Sequence, residues 1–300
     1  MQIAFIGLGK MGMGIAQNSA RQGNFTLLGT DKNDEVQETF EAMGGKFFKT
    51  LPELLQQPGK KIVWVMLPAG EKTNQVIEEC LAFLTVEDTL IDAGNSKYTD
   101  TLLNAQKCQQ VGISFLDVGT SGGVKGAQSG ACMMVGGAHA VFLKNQALFQ
   151  ALCVPEGYLY CGDSGSGHYL KMVHNGIEYG MMQSIAEGFH LLHHSAYHFD
   201  LEQVAHVFNH GSVIRAWLME LTENIFSEKA DFTMISSVIP SSGEGMWTVE
   251  EALQRKVALP VITQSLMTRY MSADTEQINE KIIALLRNQF GGHAITKEGG

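Results

Sequence analysis

Residues 2–14, QIAFIGLGKMGMG, run from a short β-rich apolar stretch into a glycine turn and on into helical sequence, and no other segment restricts the fold so strongly. Gly7, Gly9 and Gly12 stand in the spacing GxGxxG, directly after the strand and at the opening of a helix that IAQNSARQG carries to Gly23. Without β-carbons at these positions, the main chain can approach a pyrophosphate lying on the helix N-terminus, where unpaired N–H groups meet it. FTLLGTD then reads as a second strand ending at Asp31, about 20 residues past the glycines, where a carboxylate accepts hydrogen bonds from ribose hydroxyls. KIVWVMLP (61–68), TLIDAG (89–94) and SFLDVG (114–119) read as further strands, separated by the helical stretches NQVIEECLAFL and TDTLLNAQKCQQ. Near-continuously apolar strands alternating with helices predict a parallel sheet covered on both faces, so residues 1–165 are expected to form an α/β, doubly wound Rossmann-type domain.

The pattern changes at CGDSGSG (161–167), a Gly/Ser cluster that reads as a hinge. Beyond it helical periodicity dominates, through 168 to about 195, LEQVAHVFNHG, VIRAWLMELTENIF, a stretch from TVEEALQRKV and EQINEKIIALLRNQF, so residues 166–300 are expected to form an all-α domain. A hydrophobic share of 45% against 17% charged residues supplies material for buried cores. The net charge of −10 works against nucleic acid or an anionic membrane as partner, since either needs a basic patch. An anionic small substrate stays compatible where a few cations converge. The start MQIAFIGLG has no basic flank and no apolar stretch reaches the ~18 residues of a membrane span, so a cytoplasmic location is expected. Cysteines at 80, 108, 132, 153 and 161 are odd in number and form no CxxC pair, which fits reduced thiols. The cluster HLLHHSAYHF (190–199) lacks HExxH and any carboxylate at ligand spacing, so no metal is expected.

The carboxyl edge of a doubly wound sheet is where ligands bind, and three segments bring chemistry there. Asp31 favours NAD by repelling the 2′-phosphate of NADP, although the neighbouring cation of Lys32 could tolerate it. DAGNSKYTDT places Asn95 and Ser96 just past a strand end, where both also serve as ordinary turn residues. GTSGGVKGAQSGACMMVGG (119–137) presents Ser121, Gly122 and Gly123 as a hydroxyl beside unobstructed N–H groups, a small anion nest or a plain glycine loop. Finally, in HYLKMVHNGIEYG (168–180) the residues Lys171, His174, Asn175 and Glu178 occupy positions i, i+3, i+4 and i+7 of a helix, one face, while Met172, Val173, Ile177 and Met181 are left to pack on the others. A Lys–Glu pair on a helix is ordinarily a solvated surface contact. Here His and Asn share its stripe, and the helix opens directly after the hinge.

GLGKMG, the SGG loop and above all KMVHNGIEYG resemble 6-phosphogluconate dehydrogenase, the decarboxylating enzyme. The resemblance runs from the first strand to RNQFGGH (287–293), and the length of 300 residues resembles the short form of that family. It implies metal-independent oxidative decarboxylation of 6-phosphogluconate to ribulose 5-phosphate and CO₂. Lys171 would be the general base toward the substrate 3-hydroxyl and Glu178 the acid that protonates the enediol. Asn95, Ser121, Gly122, Gly123, His174 and Asn175 match positions that hold the carboxylate and hydroxyls; Tyr179, Arg269, Arg287 and His293 match those that grip the phosphate. Gly7, Leu8, Gly9, Met11, Gly12, Asp31, Lys32, Leu67 and Asn95 would line the dinucleotide. The resemblance also implies a homodimer or homotetramer whose C-terminal tail reaches a neighbouring protomer's site.

The chain departs from the long-form pattern in SSGEGMW (241–247), where Ser242 replaces a Lys and Glu244 a Thr, and at Asp31, where NADP-dependent members carry an Arg. A β-hydroxyacid dehydrogenase of the 3-hydroxyisobutyrate type shares the glycine turn, the SGG loop and the catalytic Lys, but resembles KxxNN where this chain has Lys171, His174 and Asn175, and lacks the RxxFGxH tail. A non-catalytic dinucleotide-binding redox sensor would have no use for both Lys171 and Glu178.

Overall fold

The structure is a computed structural model in which residues 1–296 are described. The chain divides into two compact units, Met1–Asn175 and Gly176–Gly300.

The first unit alternates strands and helices: β1 (Gln2–Ile6), α1 (Lys10–Gln22), β2 (Thr26–Thr30), α2 (Val36–Ala42), β3 (Lys46–Phe47), α3 (Leu51–Leu55), β4 (Lys61–Val65), α4 (Glu71–Leu81), β5 (Thr89–Asp92), α5 (Tyr98–Gln110), β6 (Ser114–Ser121), α6 (Gly123–Ser129), β7 (Ala131–Gly137), α7 (His139–Leu152) and β8 (Cys153–Gly162). Each strand side chain takes one face or the other by the two-residue period of a pleated strand. On β4, Ile62 and Trp64 join Phe5, Phe40 and Ile91 on one face, while Val63 and Val65 join Leu90, Ile77 and Cys80 on the other. Burial on both faces is why these strands read as unbroken apolar runs. The sheet order is β3-β2-β1-β4-β5-β6-β7-β8, so strand order reverses between β1 and β4, the place where such sheets open a ligand crevice.

One pairing departs from the expected parallel sheet. β7 runs antiparallel to β6, with Ser121 opposite Cys132. The stretch 119–137, which the sequence leaves open between an anion nest and a plain glycine loop, is the end of β6, helix α6 and strand β7. Two of its glycines are packing requirements: a β-carbon on Gly136 would stand 2.6 Å from Asp117 Oδ1, and one on Gly137 2.8 Å from the carbonyl of Phe115. β3, α3, α7 and β8 were likewise absent from the sequence reading.

Helix α8 (Ser166–His193) opens inside the Gly/Ser cluster and continues without a break across the division at Asn175. The division between compact units falls inside this helix because its first turns pack on the sheet. A β-carbon on Gly167 would lie 2.5 Å from the carbonyl of Met134.

In the second unit, α9 (Leu201–Asn209), α10 (Trp217–Ser227), α11 (Glu244–Arg255), α12 (Pro260–Ala273) and α13 (Ile278–Gly291) follow, with a 3-10 turn at Phe232–Met234. Asp200 caps α9 by accepting from the amides of Glu202 and Gln203. A core of Phe189, Ala205 and Met219 joins α8, α9 and α10. The helical stretch expected from TVEEALQRKV begins earlier in the structure, at Glu244; Lys256 then turns left-handed (φ 58°) and Pro260 opens α12 separately. Of the side chains left to pack on α8, Met172 is buried, whereas Ile177 and Met181 are exposed. No residue of α13 is buried, although Ile282, Leu285, Leu286 and Phe290 lie on it.

Candidate active site

The glycine turn is built as a cradle. Gly7 has φ 95°, and a β-carbon on it would meet the carbonyl of Met66 at 2.4 Å. A β-carbon on Gly12 would stand 2.0 Å from the carbonyl of Gly7, so the third glycine allows α1 to close onto the turn. Gly9 caps α1 and has open space where a side chain would be, and the first turn of α1 carries no acidic residue. These features fit a dinucleotide pyrophosphate at the helix N-terminus. Asp31 stands at the same place: its Oδ2 accepts from the amide of Leu8 at 2.6 Å and its Oδ1 from the amide of Asn33 at 2.8 Å. Each oxygen keeps a further lone pair for a ribose hydroxyl. Lys32 is exposed, Met11 packs on the core, and Leu67 lies beside the turn, its Cδ2 2.8 Å from where a Gly7 β-carbon would be.

The strand ends β5 and β6 and the opening turns of α8 converge on a second group. Asn95 takes a left-handed conformation (φ 53°), which Asn tolerates better than most residues, and its Oδ1 accepts from the amide of Thr120 at 3.0 Å. That bond ties the loop after β5 to the end of β6. Gly119 faces α8 so closely that Lys171 runs over its Cα. Lys171 is 5% exposed; its Nζ donates to Asn175 Oδ1 at 2.5 Å and stands 3.4 Å from His174 Nδ1. His174 Nδ1 is 3.0 Å from Asn175 Oδ1, and its Nε2 is 3.1 Å from Ser121 Oγ. With the proton on Nδ1, His174 donates to Asn175 and accepts the Ser121 hydroxyl, so one tautomer satisfies both contacts. Gly122 (φ 105°) and Gly123 (φ 58°) open α6 immediately beside Ser121. A buried amine, an imidazole, an amide and a hydroxyl thus form one connected network able to bind a polyhydroxylated acid and move a proton.

Sequence reasoning missed Asp117, in the middle of β6. It is fully buried, and its Oδ1 and Oδ2 accept from the amides of Gly165 (2.7 Å) and His168 (3.0 Å) at the start of α8. A carboxylate inside the apolar run SFLDV was the available signal. His168 Nδ1 in turn lies 2.7 Å from Thr101 Oγ1 on α5.

In the second unit, Arg269 on α12 stacks its guanidinium 3.6 Å over the ring of Tyr179 and donates to the carbonyl of Pro240 at 2.9 Å. Gly245 lies against the same ring, where a β-carbon would stand 2.4 Å from Cε2. Glu244 does not swing out to solvent: it is nearly buried and takes a hydrogen bond from Ser242 Oγ. Glu178 belongs to this unit, on the continuation of α8. Arg287 is exposed on α13, and His293 meets its own helix end, with its carbonyl accepting from Asn288 Nδ2 at 2.9 Å and its ring 6.2 Å from Phe290. The structure does not gather these two tail residues with Tyr179 and Arg269.

All five cysteines are free, and burial holds the thiols of Cys108 and Cys153 up to about 12 and that of Cys161 up to about 11. These three thiols stay protonated at neutral pH.

Residues 2–161 match the NAD binding domain of 6-phosphogluconate dehydrogenase, and residues 167–296 match the C-terminal domain of that enzyme. The Bacillus subtilis (strain 168) protein YqeC is 46% identical over 301 residues, covering 99% of this chain and 100% of that one. The NAD(+)-dependent, decarboxylating 6-phosphogluconate dehydrogenase of Haloferax volcanii is 36% identical over 301 residues, covering 99% of each chain. Among solved structures, Plasmodium falciparum 6-phosphogluconate dehydrogenase superposes with a TM-score of 0.84 at 26% identity, over 100% of this chain and 67% of that one. With both of its domains matched, and relatives aligned from end to end, this chain belongs to the 6-phosphogluconate dehydrogenase family.

Proposed function

We propose that the protein catalyses the oxidative decarboxylation of 6-phosphogluconate to ribulose 5-phosphate and CO₂, with NAD as the preferred cofactor. The observation that carries this reading is the buried Lys171 amine, held by Asn175 and adjoining His174, which is itself tied to Ser121. The dinucleotide, when bound, supplies the hydride acceptor for C3. Lys171 Nζ, as the neutral amine, takes the proton of the C3 hydroxyl, leaving a 3-keto acid. The resulting ammonium then hydrogen-bonds the ketone oxygen. That polarisation draws the electron pair of the C1–C2 bond toward C3 as CO₂ departs, and the ketone oxygen becomes an enediol hydroxyl. Glu178 delivers a proton to the former C2, which completes ribulose 5-phosphate. Ser121, Asn95, His174 and Asn175 orient the carboxylate and hydroxyls, and Gly122 and Gly123 leave room for them.

Asp31 supports NAD over NADP. Its carboxylate is pinned to the Leu8 amide, so a 2′-phosphate on the adenosine ribose would meet a fixed like charge. The phosphate end of the substrate is assigned to Arg269 and Tyr179, with Arg287 and His293 supplied by another protomer. An α13 with exposed Ile282, Leu285, Leu286 and Phe290 and no buried residue supports a homo-oligomer in which a partner covers this helix.

The deciding experiment incubates purified protein with 6-phosphogluconate and either NAD or NADP, following reduced cofactor and CO₂ together. Equimolar formation of both is expected. Cofactor reduction without CO₂, or turnover of 3-hydroxyisobutyrate in preference to 6-phosphogluconate, would overturn the reading in favour of a simple β-hydroxyacid dehydrogenase; no turnover of either would favour a sensor.

A further inference from the structure

We infer that Asp117 is a positioning residue for Lys171: a buried carboxylate that fixes the register of α8 on the sheet and thereby joins the two halves of the catalytic group. The inference rests on the role given to Lys171 above.

The site has two structural sources. Ser121 and the Thr120 amide that holds Asn95 come from the end of β6, and Lys171, His174 and Asn175 come from α8. Something must set the one against the other to within a fraction of an ångström. Asp117 lies on β6, two residues before Gly119 and four before Ser121, and its two oxygens take the amides of Gly165 and His168. Both N–H groups belong to the opening of α8, where intrahelical acceptors are lacking, and a carboxylate there forms charge-assisted bonds aligned with the helix dipole. His168 precedes Lys171 by three residues, just under one helical turn. The two bonds therefore fix both the rotation of α8 and its height along β6 at the point where Lys171 passes Gly119.

The surrounding glycines show how little slack remains. The Asp117 carboxylate fills the space a Gly136 side chain would need, and Gly167 and Gly119 bring the α8 backbone into direct contact with β7 and β6. A plain helix cap would serve stability equally well on any strand. This one sits on the strand whose end carries the substrate hydroxyl partner.

Asp88 provides a matched control. It is equally buried and accepts from the amides of Lys61 (2.7 Å) and Thr85 (2.8 Å), but at the opposite, amino end of β5. Asp117→Asn keeps one acceptor and turns a donor toward the second N–H; Asp88→Asn does the same at its own site. Comparable falls in Tm are expected for the two. For Asp117→Asn, kcat with 6-phosphogluconate should fall about 10²-fold, the cost of a misplacement near 1 Å, while the Kd for NAD stays within threefold. Asp88→Asn should keep kcat within threefold. An Asp117→Asn enzyme retaining more than a third of the wild-type kcat would overturn the inference, as would an equal loss in Asp88→Asn. Where Asp117→Asn fails to fold, amide hydrogen exchange in the wild-type holoenzyme decides: Gly165 and His168 should be protected like core strand amides, and exchange as fast as in an exposed loop would overturn the clamp. Lys171→Met run alongside separates the two claims. If that variant stays active, the reading of Lys171 fails; if it is dead while Asp117→Asn is fully active, the positioning role alone fails.

Discussion

Gly119 and Lys171 are in backbone-to-side-chain contact: a β-carbon added to Gly119 would stand 2.3 Å from the β-carbon of Lys171. The site therefore depends on a missing methyl group as much as on any functional group. Gly119→Ala must push α8 away from β6. Turnover is expected to fall by about 10²-fold, since a displacement near 1 Å at a catalytic group carries that cost. NAD binding, measured by fluorescence titration, should stay near wild type because the glycine turn lies on β1 and α1. Near-normal kcat in Gly119→Ala would show that α8 tolerates the shift.

Asp31 is expected to set cofactor choice. Wild type should show a higher kcat/KM with NAD than with NADP, and Asp31→Ser or Asp31→Arg should move the ratio toward NADP by removing the pinned carboxylate proposed to repel the 2′-phosphate. Steady-state kinetics with both cofactors provide the check. A tenfold preference of the wild type for NADP would transfer the assignment to Lys32 and its neighbours.

Buried thiols give the native state an alkaline limit. Burial raises Cys108 from 9.0 to about 12. Below pH 9 both native and unfolded chains keep the proton, and the thiol's contribution is fully present. Between 9 and about 12 the unfolded chain ionises first, so stability falls as pH rises through that window. One such group contributes a slope of at most about 1.4 kcal/mol per pH unit. Urea midpoints at pH 8 and pH 10 should therefore diverge more in wild type than in Cys108→Ala. Equal differences in the two proteins would refute the assignment.

The proposed sharing of sites between protomers predicts complementation. Lys171→Met should be inactive by about 10²–10⁴-fold for want of its base, and Arg287→Ala should bind 6-phosphogluconate poorly. If Arg287 serves a partner's site, subunit exchange between the two variants restores up to about a quarter of wild-type activity in a dimer, because half the dimers are hybrids with one intact site each. Activity that stays at the parental level after exchange verified by mass spectrometry would place Arg287 in its own protomer.

The parts of the fold that could be read from sequence were those whose burial is continuous. β1, β4 and β5 are apolar on both faces, and the glycine spacing with Asp31 marks the cradle. β8 escaped notice because it lies at the sheet edge and mixes Pro155, Glu156 and Gly157 with exposed positions. α6 and β7 escaped because glycines demanded by close packing look the same in sequence as glycines demanded by a turn. On α8 the helical period was enough to align Lys171, His174 and Asn175, which do bond to one another. Asp117 stands out in sequence only as a carboxylate inside an apolar run; its partners, Gly165 and His168, lie 48 and 51 positions away, and no local pattern marks such a pairing. The stack of Arg269 on Tyr179 likewise joins helices far apart in sequence, and only resemblance pointed to it.

The antiparallel turn-back of β7 gives the segment between Ser121 and Ala131 an evolutionary character of its own. Both of its ends are clamped by the same ladder, with Ser121 opposite Cys132, so the segment behaves as a cassette: residues may be exchanged within it while strand register on either side is conserved. The freedom has limits: Gly122, Gly123 and Gly130 sit at positive φ, and a β-carbon on Gly130 would stand 2.8 Å from Val154 Cγ1. Ala127 packs against Gly14 of α1, where a β-carbon on Gly14 would stand 2.9 Å from that of Ala127, so any replacement cassette inherits the demand for a small residue at its contact with the dinucleotide helix.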